Sequence, residues 1–194
     1  MPGTNRAAAT ATYSGSPAQI RLSEARAMST TKPDCIFISH QKQDSAFCKV
    51  IAAYIMRAGL DVYFDENDRD LRLHREANNP HGVTDCILKG INNSNYMLCV
   101  VSPQTLGSTW VPFEVGYGFD KTQLGILTIK GVTRANLPHY AQTAKLIVDT
   151  IPALNSFLQT KPAVINESRN HSAPVELKLS IDQRHPLASV MNLS

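Results

Sequence analysis

Four cysteines with no CxxC pair, a single tryptophan and the lack of any long apolar run remove several classes of protein at the outset. Cys35, Cys48, Cys86 and Cys99 have no zinc-ligand spacing, and three of them lie in apolar stretches. They read as buried, reduced thiols of a cytoplasmic protein, so no disulfide framework and no metal are expected. No segment approaches the roughly 20 apolar residues of a transmembrane helix, and the first 33 residues lack the run of roughly 7–15 that a secretory signal needs. Neither export nor a membrane partner is expected. Also missing are the G-x-S-x-G turn of a serine hydrolase and any Walker phosphate loop. Gly116-Tyr117-Gly118 lacks the third glycine of a dinucleotide fingerprint.

The chain has no large excess of charge of either sign. Its 194 residues carry 19 Lys plus Arg against 16 Asp plus Glu, a net charge of +3 that by itself hints at nucleic acid. Residues 34–160, however, hold 11 basic and 12 acidic residues, so the excess belongs to the Ala-, Thr- and Ser-rich residues before them. A phosphate-tracking surface needs clustered cations, and no nucleic-acid partner is expected. Residues 1–32 read as a disordered leader, with Met28 as an alternative start. Residues 33–160 read as one domain, and residues 161–194 as a C-terminal tail or peripheral extension.

Within the domain, apolar runs alternate with helical periodicity. Strands are expected at 34–40, 60–64, 96–101, 124–129 and 145–148, and helices from Asp44 as N-cap to the stop at Gly59, over 83–91, over 108–119 and near 151–159. Residues 65–82 read as a long polar loop. Alternating strands and helices imply an α/β domain with helices on both faces of a five-stranded parallel sheet, the flavodoxin-like three-layer architecture. Such sheets bind ligands at the carboxyl ends of their strands. There lie Ser39, His40 and Gln41, then Asp65 and Glu66, then Ser102 and the start of the third helix.

The sharpest local feature is Ser108-Thr109-Trp110-Val111-Pro112-Phe113-Glu114. Trp110 and Glu114 are four residues apart, which puts an indole and a carboxylate on one helical face as a pocket for a flat charged ligand. Spacing alone favours the plainer arrangement, a core Trp110 and a solvated Glu114, since most helix glutamates are surface residues. Asp65, Asn67 and Glu76 match calcium-loop positions, but Arg69 and Asp70 break the pattern. His74 and His81 are too far apart for an ordinary zinc pair. Ser39 and His40 are neighbours on a strand and point to opposite faces, which disfavours a nucleophile and base pair.

Five features in order resemble a bacterial-type toll/interleukin-1 receptor (TIR) domain: Asp34 to His40 followed by Asp44, Asp61 to Asp65, Leu98 to Ser102, and Ser-x-Trp-x-x-x-Glu at 108–114. The resemblance covers roughly residues 34–160 and implies the flavodoxin-like fold already inferred. It further implies an NAD+ nucleosidase or ADP-ribosyl cyclase, with Glu114 catalytic and NAD+ a substrate rather than a cofactor. Trp110 and Phe113 would line the pocket, and Ser39, His40, Gln41, Phe64, Asp65 and Ser102 would contact the nucleotide. Ordinary glycosidases need two carboxylates because an alkoxide leaving group must be protonated, whereas nicotinamide departs neutral from a pyridinium and one carboxylate suffices. A short chain of this kind resembles the signal-producing component of an antiphage defence system such as Thoeris, with a downstream effector that senses the nucleotide product. The alternative is a catalytically silent scaffold acting through TIR–TIR self-association, the role the family gives to the loop at 65–82. Arg69-Asp70 is followed by Leu71-Arg72 rather than Pro-Gly, which counts against a receptor-adaptor role. Val111 stands where the family often has a cysteine.

Overall fold

The computed structural model describes residues 2–9, 34–162, 164 and 174–194. Strands β1 (Cys35–Ser39), β2 (Asp61–Tyr63), β3 (Tyr96–Val101), β4 (Gln123–Thr128) and β5 (Leu146–Val148) form one sheet in the order β2-β1-β3-β4-β5, every neighbouring pair parallel. This is the expected flavodoxin-like α/β fold. Every residue of β1 and β3 is buried, as continuous apolar strands between two helical layers must be. The helices are α1 (Arg6–Ala9), α2 (Ser45–Arg57), α3 (Arg69–Glu76), α4 (Pro80–Asn92), α5 (Trp110–Lys121), α6 (His139–Gln142) and α7 (Ile151–Gln159). Gly59 ends α2 as expected, in the left-handed conformation that only glycine adopts without strain (φ 98°).

Three expectations change. The polar stretch 65–82 is not a loop: a 3-10 turn at Asp65–Asn67 leads into α3, and α4 begins at Pro80. Both helices start on side-chain caps, Asp68 accepting from the Leu71 N–H (3.0 Å) and Asn79 from the Gly82 N–H (3.0 Å). Leu71 is the one buried residue of α3, so no apolar periodicity marks this helix in the sequence. Asp44 occupies the N-cap position of α2 without capping it, because its carboxylate is bonded elsewhere. Residues 2–9, expected within a disordered leader, dock along the free edge of β2, with Asn5 bridged in parallel to Val62 and Ala7 fully buried. The rest of that leader, residues 10–33 with Met28, lies outside the described residues, as do 163 and 165–173.

Residues 174–194 pack against the domain. Leu177, Leu187, Val190 and Met191 join the core, and Asn192 bridges Thr150 beyond β5. The buried Tyr54 of α2 ties this segment down, its hydroxyl donating to Asn155 Oδ1 (2.7 Å) and the Glu176 carbonyl (3.0 Å). Tyr54→Phe leaves the Asn155 oxygen without this donor and is expected to cost about 1–2 kcal/mol in urea unfolding; an unchanged midpoint would show that the hydroxyl is not a structural tie.

Candidate active site

Because β1 lies second in the sheet and β3 at its centre, their carboxyl ends meet beneath the first turns of α5. That helix buries Val111, Glu114, Val115 and Gly118, a stripe at helical spacing. Gly118 permits the close seating, since a Cβ there would stand 2.3 Å from Met97 Cε of β3. Glu114 is thereby carried inward, 7% exposed, and its Oε2 accepts a 2.6 Å hydrogen bond from the fully buried Ser39 hydroxyl.

Burial dominates the electrostatics of this carboxyl. Loss of solvation raises the Glu114 pKa to about 8, Asp65 adds to the rise, and the Ser39 hydrogen bond and the Arg75 guanidinium oppose it. A group of this kind holds its proton near neutrality and releases it when a cation arrives.

Both alternatives for the Trp110-to-Glu114 segment are thereby decided. Glu114 is buried rather than solvated, and Trp110 is 39% exposed rather than core. Trp110 opens the helix and stands edge-on to Phe113 with ring centroids 5.8 Å apart. Ser108 caps the helix by accepting from the Val111 N–H (3.1 Å).

The remaining residues fall into two groups. Around β1 and β2, the His40 ring lies 5.0 Å from that of Phe64, with Nδ1 against the Ile38 carbonyl (3.2 Å) and Nε2 against Ser45 Oγ (3.3 Å). Nε2 is also 3.8 Å from Asp65 Oδ1, whose other oxygen pairs with Arg75 at 3.1 Å. Phe64 is buried, and the Gln41 side chain accepts from the Lys42 N–H at the half-buried rim. Ser102 stands apart from these, with its hydroxyl donating to Asp44 Oδ2 (2.5 Å) and accepting from the Gln104 N–H. The calcium-loop residues do not converge, because Asp65 is paired with Arg75 and Glu76 lies beside Arg72 on α3.

Sequence reasoning missed Arg75, the cation nearest in effect to Glu114, because its segment reads as a loop; Asp68 and Asn79-Pro80 were the helix-start signals that could have found it. It also missed the buried hydroxyls of Thr128 at the end of β4 and of Tyr140 on α6. Neither has a hydrogen-bond partner among the described residues.

The family model for the TIR domain matches residues 36–146, more than half of the chain. No curated protein matches it.

The raised Glu114 pKa has a defined linkage sign. The folded state keeps a proton that the unfolded chain loses near 4.5, so this contribution to stability is complete below about pH 4.5 and is lost as the pH rises to about 8. The stability of the wild type minus that of Glu114→Gln is expected to fall by about 3 kcal/mol between roughly pH 5 and pH 8. A flat difference across denaturation curves at several pH values would place the ionisation of Glu114 in the ordinary range.

Proposed function

The chain belongs to the TIR domain family, and we propose that within it this protein is an enzyme that breaks the nicotinamide–ribose bond of NAD+, with Glu114 as its catalytic residue. The observation that carries this reading is the Glu114 carboxyl, buried at the carboxyl edge of the sheet and held by Ser39, on the helix whose first turn exposes the rings of Trp110 and Phe113.

The chemistry follows from that environment. Entry of the cationic pyridinium, with the Arg75 guanidinium acting in the same direction, favours loss of the Glu114 proton to solvent water. The resulting carboxylate is poorly solvated and interacts most strongly with the oxocarbenium charge that develops on the ribose. The bonding pair of the C1′–N bond returns to the ring nitrogen and nicotinamide leaves neutral, so no general acid is required. Water adding at C1′ with release of one proton gives ADP-ribose, and an internal nucleophile of the same molecule gives a cyclic isomer. Trp110 and Phe113 offer flat apolar faces to a heteroaromatic ring. Gln41 and the Asp65–Arg75 pair, after the first two strands, would face the ribose. Ser39 orients Glu114, and Phe64 supports His40. We further infer a role in antiphage defence, in which the nucleotide product signals to a downstream effector.

Assembly is the second reading, favoured by side chains that α3 and α5 leave exposed: Leu73, Trp110 and Phe113. The two readings are compatible if protomers complete one another's site.

Glu114→Gln should lower nicotinamide release from NAD+ by at least about 100-fold while the circular dichroism spectrum is preserved. Wild-type-like turnover in that variant sinks the catalytic reading. Specific activity should also climb with protein concentration; a constant value over a wide range would count against completion of the site by assembly.

A further inference from the structure

The edge of β2 carries a built peptide site, already filled by the chain's own residues 2–9. Gly3 donates its N–H to the Met56 carbonyl (2.6 Å) and passes so close to β2 that a Cβ would lie 1.7 Å from the Leu60 oxygen. Val62 donates to the Thr4 carbonyl (2.9 Å) as one strand would to another. The buried Asp61 carboxylate receives the Thr4 N–H (2.8 Å), the Thr4 hydroxyl (3.0 Å) and Arg6 Nε (2.9 Å). Arg6 Nη1 reaches the Asn93 carbonyl (2.9 Å).

Asn5 links this site to the candidate active site. Its amide clamps both backbone groups of Phe64, Oδ1 accepting from the Phe64 N–H and Nδ2 donating to the Phe64 carbonyl, each at 3.1 Å. Phe64 packs against His40, and the next residue is Asp65, which holds Arg75. We propose that residues 2–9 are a docked arm that recognises the β2 edge, and that Asn5 is a positioning residue setting the Phe64–Asp65 turn, and with it the substrate site. The positioning half rests on the function proposed above; the docking half does not.

The arm also covers the strand edge most open to pairing with another chain, so its release bares a row of backbone donors and acceptors. The chemistry the groove accepts is narrow: a glycine at the Leu60 approach, an asparagine two residues later and an arginine over Asp61.

The test uses the full chain with Asn5→Ala and, separately, Gly3→Val, each checked by thermal melting. Two quantities are read: amide hydrogen exchange at Phe64, which needs no substrate, and KM against kcat for nicotinamide release. Both variants should raise Phe64 exchange by roughly fivefold or more, the effect of losing one net hydrogen bond. They should raise KM for NAD+ several-fold with kcat less affected. A synthetic peptide of residues 2–9 at millimolar concentration should restore both readings to Gly3→Val, and the same peptide with Asn5→Ala should not. Unchanged exchange at Phe64 overturns the docking site. Faster exchange with an unchanged KM, or with an effect confined to melting temperature, overturns the positioning role. A wild type that releases no nicotinamide defeats the proposed activity, and with it the positioning role, while the exchange and peptide arms still decide the docking.

Discussion

The hydrogen bond from Ser39 to Glu114 joins the end of β1 to the helix that covers the carboxyl edge of the sheet. A carboxyl group taken out of water needs a partner, and at this depth Ser39 supplies it. The bond can form because Ser39, paired with Cys99 of β3, is fully buried, and because Gly118 lets α5 close onto Met97. Val111 and Val115 supply the apolar contacts that keep the helix seated around this polar point. Burial and Asp65 favour the protonated form of Glu114, whereas Ser39 and Arg75 favour the charged one. A balance of this kind makes the group responsive to a cationic ligand.

The contacts around that point are largely between residues far apart in the chain. Asp44 and Ser102, separated by 58 positions, close the turn after β1 onto the turn after β3. Thr105 reinforces this by receiving the Ser102 N–H (2.8 Å), which ties the start of α2 to the Pro103–Gly107 turn. His40 has both ring nitrogens within hydrogen-bond distance of neighbours, which fits a wall of the site rather than a mobile base. Chain from outside the domain core reaches both sides of the sheet: residues 2–9 bridge the β2 edge at Val62, and Asn192 bridges Thr150 beyond β5. A covered β2 edge suppresses strand pairing with other chains at that side of the sheet.

The strands, the long helices and their alternation were legible in the sequence because apolar periodicity reports burial directly, and burial is what a parallel sheet between two helical layers imposes on β1 and β3. The same signal is silent for α3, which buries Leu71 alone and is set by the caps at its ends. It is silent too for residues 2–9, whose docking rests on Gly3, Asn5 and Arg6 meeting Leu60, Phe64 and Asp61 more than 50 positions away. No local pattern encodes such a pairing.

The sequence by itself determined the fold class, the strands whose ends form the candidate site, and Trp110 and Glu114 as its candidate residues. Their burial and partners came from the tertiary structure alone. Four-residue spacing puts two side chains on one helical face, but the distance of each from the sheet depends on where the helix begins relative to it. Here the helix starts at the rim, so Trp110 stays in solvent and Glu114, one turn deeper, loses its water and gains Ser39. Burial and charge at a site are sums over neighbours that only folding brings together, so the proton on Glu114, the influence of Arg75 and the grip of Asn5 on Phe64 could be read nowhere else.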